Sequence, residues 1–241
     1  MSIQTSKTPA SARVALILAG CGAKDGSEIT EAVSLLIALS QKGYVVQCFA
    51  SERDTHHVVD HLTGSEKPSE KRNQRHEAAR IARGNVRSLT DLKAADFDAV
   101  VIAGGFGVVK NLCNFAFAGV DAVLQNDVKT SLLPFVQQNK VCAALCIAPV
   151  VLALLCREAN RQGVRLTLGS GAARDAVATI ETWGAVHQPT RQGEACVDTE
   201  SRFVSAPAYM YDDATPADIM ASAVALVDGI STLIQKAHHS A

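Results

Sequence analysis

Short runs of apolar, β-branched residues alternate with longer amphipathic stretches along the chain. Such apolar runs of four to eight residues are typical of buried strands. Their alternation with helical stretches is typical of βαβ units and predicts a parallel sheet. The predicted strands are residues 14–18, 45–50, 98–103, 141–145 and 166–168, followed by a short pair at 195–197 and 203–205.

The amphipathic stretches predict helices at residues 27–41, 70–83, 127–138, 147–160, 173–183 and 215–236. Asp25 or Ser27 is the expected N-cap of the first helix, and Gly43 is its expected stop. Thr215 and Pro216 are expected to start the last helix as N-cap and first helical residue. The inner face of the first helix is predicted to carry Ile29, Val33, Leu36, Ile37 and Ser40.

Residues 51–71 follow neither a helical nor a strand period and are rich in His, Asp, Gly and Pro. We therefore interpret them as a long surface excursion. The remaining pattern predicts a flexible tail at residues 1–12, one doubly wound α/β domain at 13–237 and a short tail at 238–241. In such folds ligands bind beyond the carboxyl ends of the strands.

Composition narrows the range of partners. The 241 residues carry 23 basic and 24 acidic side chains, a formal charge of −1, which argues against a nucleic-acid partner. The longest uncharged apolar run, residues 141–156, is shorter than the ~20 residues that span a bilayer, so no membrane partner is expected. Seven cysteines without a CxxC pair indicate reduced thiols, from which we predict a cytoplasmic protein.

The apolar run is explained if a buried strand turns sharply into a buried helix at Cys146. A nucleophile elbow requires small residues two positions on either side, and here these are Ala144 and Ala148. The turn would aim the first N–H groups of the helix, including that of Ile147, at the sulfur. The positive end of the helix would favour a thiolate. A small buried thiol with no chemistry is the alternative.

Two further features belong with this turn. Gly104 and Gly105 directly follow the third predicted strand, where bare backbone can approach a ligand and offer N–H donors. Glu28 and Glu31 lie in the first turn of the first helix. A carboxylate beside a thiolate is a like-charge pair, so one partner is expected to hold the proton, and a protonated Glu31 can donate to sulfur.

Several blocks of the chain match one known family. The matching blocks include Gly20-Cys21-Gly22, Asp60-His61-Leu62-Thr63-Gly64, Gly104-Gly105-Phe106-Gly107, Cys146-Ile147-Ala148-Pro149 and Pro207-Ala208-Tyr209-Met210. From about residue 14 to 234 the chain resembles the ElbB family, also called isoprenoid biosynthesis proteins with an amidotransferase-like domain. That family belongs to the PfpI branch of the class I glutamine amidotransferase-like superfamily.

The resemblance implies a flavodoxin-like three-layer α/β sandwich with a mostly parallel sheet and a nucleophile elbow. It also implies a glyoxalase that needs no cofactor and no metal, acting on a small dicarbonyl substrate through a Cys146 hemithioacetal. Glyoxal would yield glycolate, and methylglyoxal, more weakly, lactate. Cys146 would be the nucleophile and Glu31 its proton partner, with oxyanion or substrate contacts from Gly104, Gly105 and Ile147.

Three other residues, Cys21, Asn73 and Asn111, are candidates to line the pocket, and relatives of this fold often form homodimers. One departure concerns the histidine that many superfamily enzymes place after the strand following the elbow. The corresponding segment here, Gly169-Ser170-Gly171, has none. Either Glu31 moves protons alone, with low activity as a consequence, or Ser170 or His76 takes part.

Other functions remain as hypotheses. A non-catalytic oxidative-stress sensor, or a regulatory or holdase protein, would use the same reactive thiol. A glutaminase would need a late His and Glu, which residues 205–213 lack. A dinucleotide site at Gly20-Cys21-Gly22 would place acidic side chains around the pyrophosphate. A metal site at His57 and His61 has only one pair of ligands.

Overall fold

The computed structural model describes residues 11–239. Its strands are β1 (Arg13–Ile17), β2 (Val45–Ala50), β3 (Val86–Ser88), β4 (Ala99–Ile102), β5 (Val141–Leu145), β6 (Arg165–Leu166), β7 (Val186–His187), β8 (Cys196–Asp198) and β9 (Phe203–Ala206). Its helices are α1 (Ile29–Gln41), α2 (Gln74–Ile81), α3 (Val108–Asn111), α4 (Phe115–Ala118), α5 (Asn126–Gln137), α6 (Pro149–Glu158), α7 (Arg174–Thr182) and α8 (Pro216–His239).

Seven strands form the central sheet in the order β3-β2-β1-β4-β5-β9-β8. Every neighbouring pair is parallel except β8 and β9, which are antiparallel as the predicted short pair requires. Helix α1 packs on α8, and α8 lies on β5 and β9, while α5 and α6 pack on each other and on β4 and β5. The predicted flavodoxin-like sandwich is confirmed, and the carboxyl ends of β1, β4 and β5 meet at one edge.

The start of α1 differs from the prediction. Its N-cap is Glu28, whose carboxylate accepts the N–H of Glu31 at 2.7 Å. The two side chains predicted to cap it are used by neighbouring segments instead. The Ser27 hydroxyl accepts the N–H of Ala19, and the Asp25 carboxylate accepts an N–H from the excursion. A side-chain cap was therefore predicted correctly, but the residue that supplies it, Glu28, lies later in the chain than either predicted residue.

The predicted inner face of α1 was also wrong. Ile29, Val33 and Ile37 are 49%, 38% and 44% exposed, so the predicted stripe largely faces solvent. The buried face carries Leu35 and Leu39 together with Ala32, Ala38 and Glu31. The two leucines are fully buried where the helix packs on α8 and β2, and the small alanines beside them allow close packing.

Several helices and strands begin or end at residues other than those predicted. Asn73 caps α2, which is shorter than predicted because the preceding residues belong to the excursion. Strands β3 and β7 were not predicted, since two or three residues give too little pattern to detect. Helix α8 continues to His239, into the predicted C-terminal tail. Most of the predicted N-terminal tail, residues 1–10, lies outside the described residues.

Residues Pro216–Lys236 of α8 are long and apolar enough to cross a membrane by length and composition alone. Half of this stretch is buried inside the protein, where the helix packs on α1, β5 and β9. A helix at the core of a folded domain has the same composition. The length of α8 is therefore explained by its place in the sandwich.

Candidate active site

The elbow at Cys146 has the predicted form. Cys146 follows β5 directly and has a φ of 59°, a left-handed conformation that is costly for a residue with a side chain. Its N–H donates to the carbonyl of Ala206 at 2.9 Å, which ties the turn to β9. Ala144 and Ala148 are fully buried on either side of it, and α6 begins at Pro149. The strained turn thus aims the sulfur at the edge where the strands end.

Gly105 is the second component of the site. Its φ is 109°, and a Cβ there would lie 2.4 Å from the backbone nitrogen of Glu28, so only glycine fits. The N–H groups of Gly105 and Ile147 both donate hydrogen bonds to the Cys146 sulfur. Two amides that converge on one nucleophile are also placed to stabilise an oxyanion formed on a bound substrate.

Glu31 is fully buried beside Cys146. Its Oε1 accepts the N–H of Tyr209 at 3.3 Å, and Gly104 donates a second backbone N–H to the carboxyl group. Oε2 is buried without a hydrogen-bond partner of its own among the described residues, and the carboxyl group as a whole is hydrogen-bonded with the Cys146 thiol. A Cβ on Gly104 would lie 2.0 Å from Oε2, so this glycine makes room for the carboxyl group and does not face the cavity.

Burial favours the neutral form of both groups of this pair. Burial, reinforced by the charge of Glu28, raises the pKa of Glu31 to about 8. Burial and the neighbouring Glu31 raise the pKa of Cys146 well above its ordinary value, and the two backbone amides offset this only in part. The expectation that the helix end favours a resting thiolate was therefore wrong, because desolvation of the thiol outweighs the helix dipole.

A cavity of about 940 Å³ opens onto Cys146, Glu31, Gly105 and Ile147. The cavity therefore brings together the four residues with the strongest predicted roles. Its other lining residues, which the sequence did not single out for binding, are Ala23, Glu28, Phe106, Phe115, Ala172, Ala173, Arg174, Asp175, Ala176, Tyr209 and Met210. The lining is predominantly apolar.

Comparison with known proteins assigns the chain to a family. No family model matches it. The human mitochondrial protein named glutamine amidotransferase-like class 1 domain-containing protein 3 is 39% identical over 236 residues, 93% of this chain and 82% of the human one. The rat mitochondrial ES1 protein homolog is 38% identical over 87% of this chain and 79% of its own. This chain belongs to the ElbB/ES1 family.

A solved structure supports the assignment. The isoprenoid biosynthesis protein with an amidotransferase-like domain from Ehrlichia chaffeensis superposes with a TM-score of 0.82 at 31% identity, over 91% of this chain and 99% of that one. The glyoxalase III of Candida albicans superposes with a TM-score of 0.55 at 14% identity, over 92% and 97%. The second likeness concerns the fold alone.

The predicted cytoplasmic localisation is overturned for this ElbB/ES1 protein. The human and rat relatives and the zebrafish ES1 protein are all named as mitochondrial. The prediction depended on unpaired cysteines, and these indicate a reducing environment without distinguishing one compartment from another. Cysteine spacing therefore does not identify the cellular compartment of this protein.

Three residues predicted to line the pocket lie elsewhere. Asn111 is buried and donates from Nδ2 to the carbonyls of Ala19 and Asp25, while its Oδ1 accepts the N–H of His56. Asn73 caps α2. Cys21 is half-buried in the loop after β1 and is absent from the cavity wall. All three have structural surroundings that residue type alone did not distinguish from a ligand site.

The proposed substitutes for the missing histidine do not reach Cys146. The cavity wall contains neither His76, which is exposed on α2, nor Ser170, which is exposed in the loop before α7. Within residues 11–239 no histidine lines the cavity. The partner that sequence analysis missed is Tyr209, whose backbone N–H holds Glu31 in place. In the sequence, the importance of Tyr209 was indicated by the family-matching block that contains it, Pro207-Ala208-Tyr209-Met210.

Local structure does not support the two alternative sites, a metal site at His57 and His61 and a dinucleotide site in the glycine-rich loop. His57 faces Glu66 at 3.2 Å, whereas His61 accepts the N–H of Lys24, so the pair does not converge on a metal. In the glycine-rich loop, the N–H of Gly22 donates to Ser27 and the N–H of Gly26 donates to Gly22. Those amides are occupied within the loop and are not available to a pyrophosphate.

Proposed function

We propose that this ElbB/ES1 protein is a glutathione-independent glyoxalase that converts glyoxal to glycolate. The observation that carries the proposal is the buried Glu31 carboxyl group, hydrogen-bonded with a Cys146 thiol that two backbone amides also contact. A thiol forms the covalent intermediate, and a carboxyl group with a pKa of about 8 both accepts and donates protons near neutral pH. The fold shared with a glyoxalase III is consistent with this chemistry.

The reaction begins from the form in which Cys146 and Glu31 hold one proton between them, with a neutral thiol and an ionised carboxylate. The thiol proton passes to Glu31 as the sulfur bonds to one aldehyde carbon, and Glu31 returns the proton to the new alkoxide. The N–H groups of Gly105 and Ile147 stabilise that oxygen while it is charged. The product of this step is a hemithioacetal on Cys146, and Glu31 is left as a carboxylate.

Glu31 then removes the hydrogen of the hemithioacetal carbon as a proton and delivers it to the second carbonyl carbon through an enediol, while the hydroxyl proton of the first carbon passes to the oxygen of the second. The first carbon is oxidised to a thioester and the second is reduced to an alcohol, so no external oxidant is needed. Water attacks the thioester, the sulfur–carbon bond breaks, and a proton returns to the thiol. One glyoxal and one water yield one glycolic acid.

The test is glycolate formation from glyoxal without glutathione. Cys146→Ser is expected to abolish turnover, whereas Cys21→Ser, which removes a thiol outside the cavity, is expected to keep it within about twofold. No glycolate from fully reduced native protein would overturn the proposal. Equal losses in the two serine variants would show that turnover does not depend on this site.

The alternative role as an oxidation sensor has less support. That hypothesis needs an accessible thiol with a low pKa, because the thiolate is the form that oxidises. Cys146 is only 8% exposed, and burial raises the pKa of its thiol. The regulatory or holdase role has no observation of its own to distinguish it.

A further inference from the structure

The cavity is far larger than the substrate of the proposed reaction. Glyoxal has two carbons and two oxygens, whereas a volume of about 940 Å³ is near the upper end of the range for pockets that enclose drug-sized ligands. A small dicarbonyl would contact the sulfur and its immediate neighbours and leave most of the wall uncovered. The shape of the site therefore indicates a longer ligand.

The wall beyond the sulfur is apolar and well supported. Phe115 contacts Trp183 edge to face, with ring centroids 6.1 Å apart, and the Trp183 indole donates to the carbonyl of Val120 at 2.9 Å. Phe106 is half-exposed on the cavity wall, and the Lys110 ammonium lies 5.0 Å from its ring centroid. A hydrocarbon chain lying against these rings would be removed from water.

The acidic and basic side chains of the wall come from the starts of two helices. Glu28 and Glu31 belong to α1, where Glu31 is hydrogen-bonded with Cys146, and Arg174 and Asp175 are exposed at the start of α7. Arg174 and Asp175 carry opposite charges, so together they offer no net charge to an ionic tail. The distribution favours an uncharged chain with its polar end at Cys146.

We propose that the cavity selects a 2-oxoaldehyde bearing an alkyl or aryl chain, which lies along Phe106, Phe115 and Met210 while its dicarbonyl end reaches Cys146. The inference rests on the proposed glyoxalase activity and follows the same chemistry. The aldehyde carbon is oxidised to the carboxyl group, the ketone carbon is reduced to a secondary alcohol, and one water is consumed. The product is a 2-hydroxy acid with the chain intact.

The experiment compares 2-oxooctanal with methylglyoxal, which have the same reacting group and differ in chain length. Each buried methylene is worth a factor of about four, so burial of about two or three of the additional methylenes of 2-oxooctanal is expected to raise kcat/KM above that for methylglyoxal by roughly 10- to 100-fold. Phe106→Ala should lower this ratio about tenfold. Phe117→Ala is the matched control, because Phe117 is 51% exposed against 50% for Phe106 and is absent from the cavity wall.

A binding measurement accompanies the kinetics and does not depend on any variant. Trp183 is the only tryptophan of the chain and contacts the cavity wall through Phe115, so its fluorescence reports a ligand against that ring. The product 2-hydroxyoctanoate should change the emission at concentrations at least about tenfold lower than glycolate does.

The outcomes separate the two proposals. Turnover of methylglyoxal with no preference for 2-oxooctanal, or an equal ratio in Phe106→Ala and Phe117→Ala, overturns the inference and leaves the glyoxalase proposal intact. Failure to turn over glyoxal, methylglyoxal and 2-oxooctanal alike overturns both. Equal fluorescence responses to the long and short products also contradict the inference.

Discussion

Two cysteines with an acidic neighbour follow parallel strands at the same edge of the sheet, and of these two pairs only the one at Cys146 lines the cavity. Cys146 follows β5 beside Glu31, and Cys21 follows β1 with Glu77 as its main charged neighbour. Both cysteines have small residues nearby in sequence. Position after a strand is therefore not sufficient to make a nucleophile.

The pairs differ in what surrounds the carboxylate. Glu77 lies within 3.9 Å of Arg72 and 3.5 Å of Arg80, so its charge is balanced. Glu31 is fully buried with two backbone amides, no cation within residues 11–239 pairs with it, and its pKa rises to about 8. Burial without a counter-ion converts an ordinary acid into a proton carrier for neutral pH. Four experiments test this difference between the two pairs, and the size of the expected result decreases from the first to the fourth.

Replacing the carboxyl groups should give the largest contrast. Glu31→Gln removes the proton carrier and is expected to lower kcat/KM for glyoxal about 10²- to 10³-fold, as loss of a general acid–base does. Glu77→Gln is the matched control and should stay within about twofold. Steady-state rates of glycolate formation provide the measurement, and a similar loss in both variants would remove the special role of Glu31.

The pH dependence of native turnover should follow the pair at Cys146. Both groups are protonated at low pH, and the reactive form with one proton appears as pH rises through about 8. We expect kcat/KM to increase about tenfold per pH unit below that value and to level off above it. A profile that is flat from pH 6 to 8 in the native protein, with Cys21→Ser as the control, would contradict this assignment.

Stability should respond to the same proton. The unfolded chain ionises Glu31 near the ordinary value of 4.5, whereas the folded protein holds this proton until about pH 8. The folded state thus binds more protons between these values, so native stability falls as pH rises through that window. From pH 6 to 7.5, native Tm should drop by about 4–8 °C relative to Glu31→Gln.

Thermal unfolding of native protein, Glu31→Gln and Glu77→Gln at both pH values measures this effect. Glu77→Gln should track the native protein, since its carboxylate is paired with two arginines. Parallel pH dependence in native protein and Glu31→Gln would mean that Glu31 is already ionised in the fold.

Peroxide should oxidise the Cys21 thiol faster than the Cys146 thiol. Cys21 is half-buried, whereas Cys146 and the remaining five cysteines are buried. In graded peroxide, Cys21 is expected to be modified about threefold or more faster than Cys146, because burial of Cys146 limits both access of the oxidant and thiolate formation. Mass spectrometry of the native protein gives the order, and earlier modification of Cys146 would revive the sensor hypothesis.

Much of the fold could be predicted because its strands are continuous apolar runs that only burial explains. The central strands β1, β4 and β5 and the turn at Cys146 follow directly from such runs. The face of α1 could not be predicted, because that helix carries two apolar stripes. The stripe with Leu35 and Leu39 is the buried one because it packs on α8 and β2, contacts between distant segments that no local pattern encodes.

The site was predictable where chemistry and local geometry coincide, as at Cys146 and Gly105. It was not predictable where a contact joins distant segments. Tyr209 supports Glu31 from a position 178 residues away along the chain. The raised pKa of Cys146 likewise depends on the depth of burial, which no local pattern encodes.

The Asn111 side chain has a consequence for the dynamics of the glycine-rich loop and the segments beside it. It joins the end of β1 at Ala19, the glycine-rich loop at Asp25 and the excursion at His56. Breaking this buried amide's bonds would leave three backbone groups without a partner at once. The three segments should therefore open as one cooperative unit, and their slow amide hydrogen exchange should share a single free energy of opening.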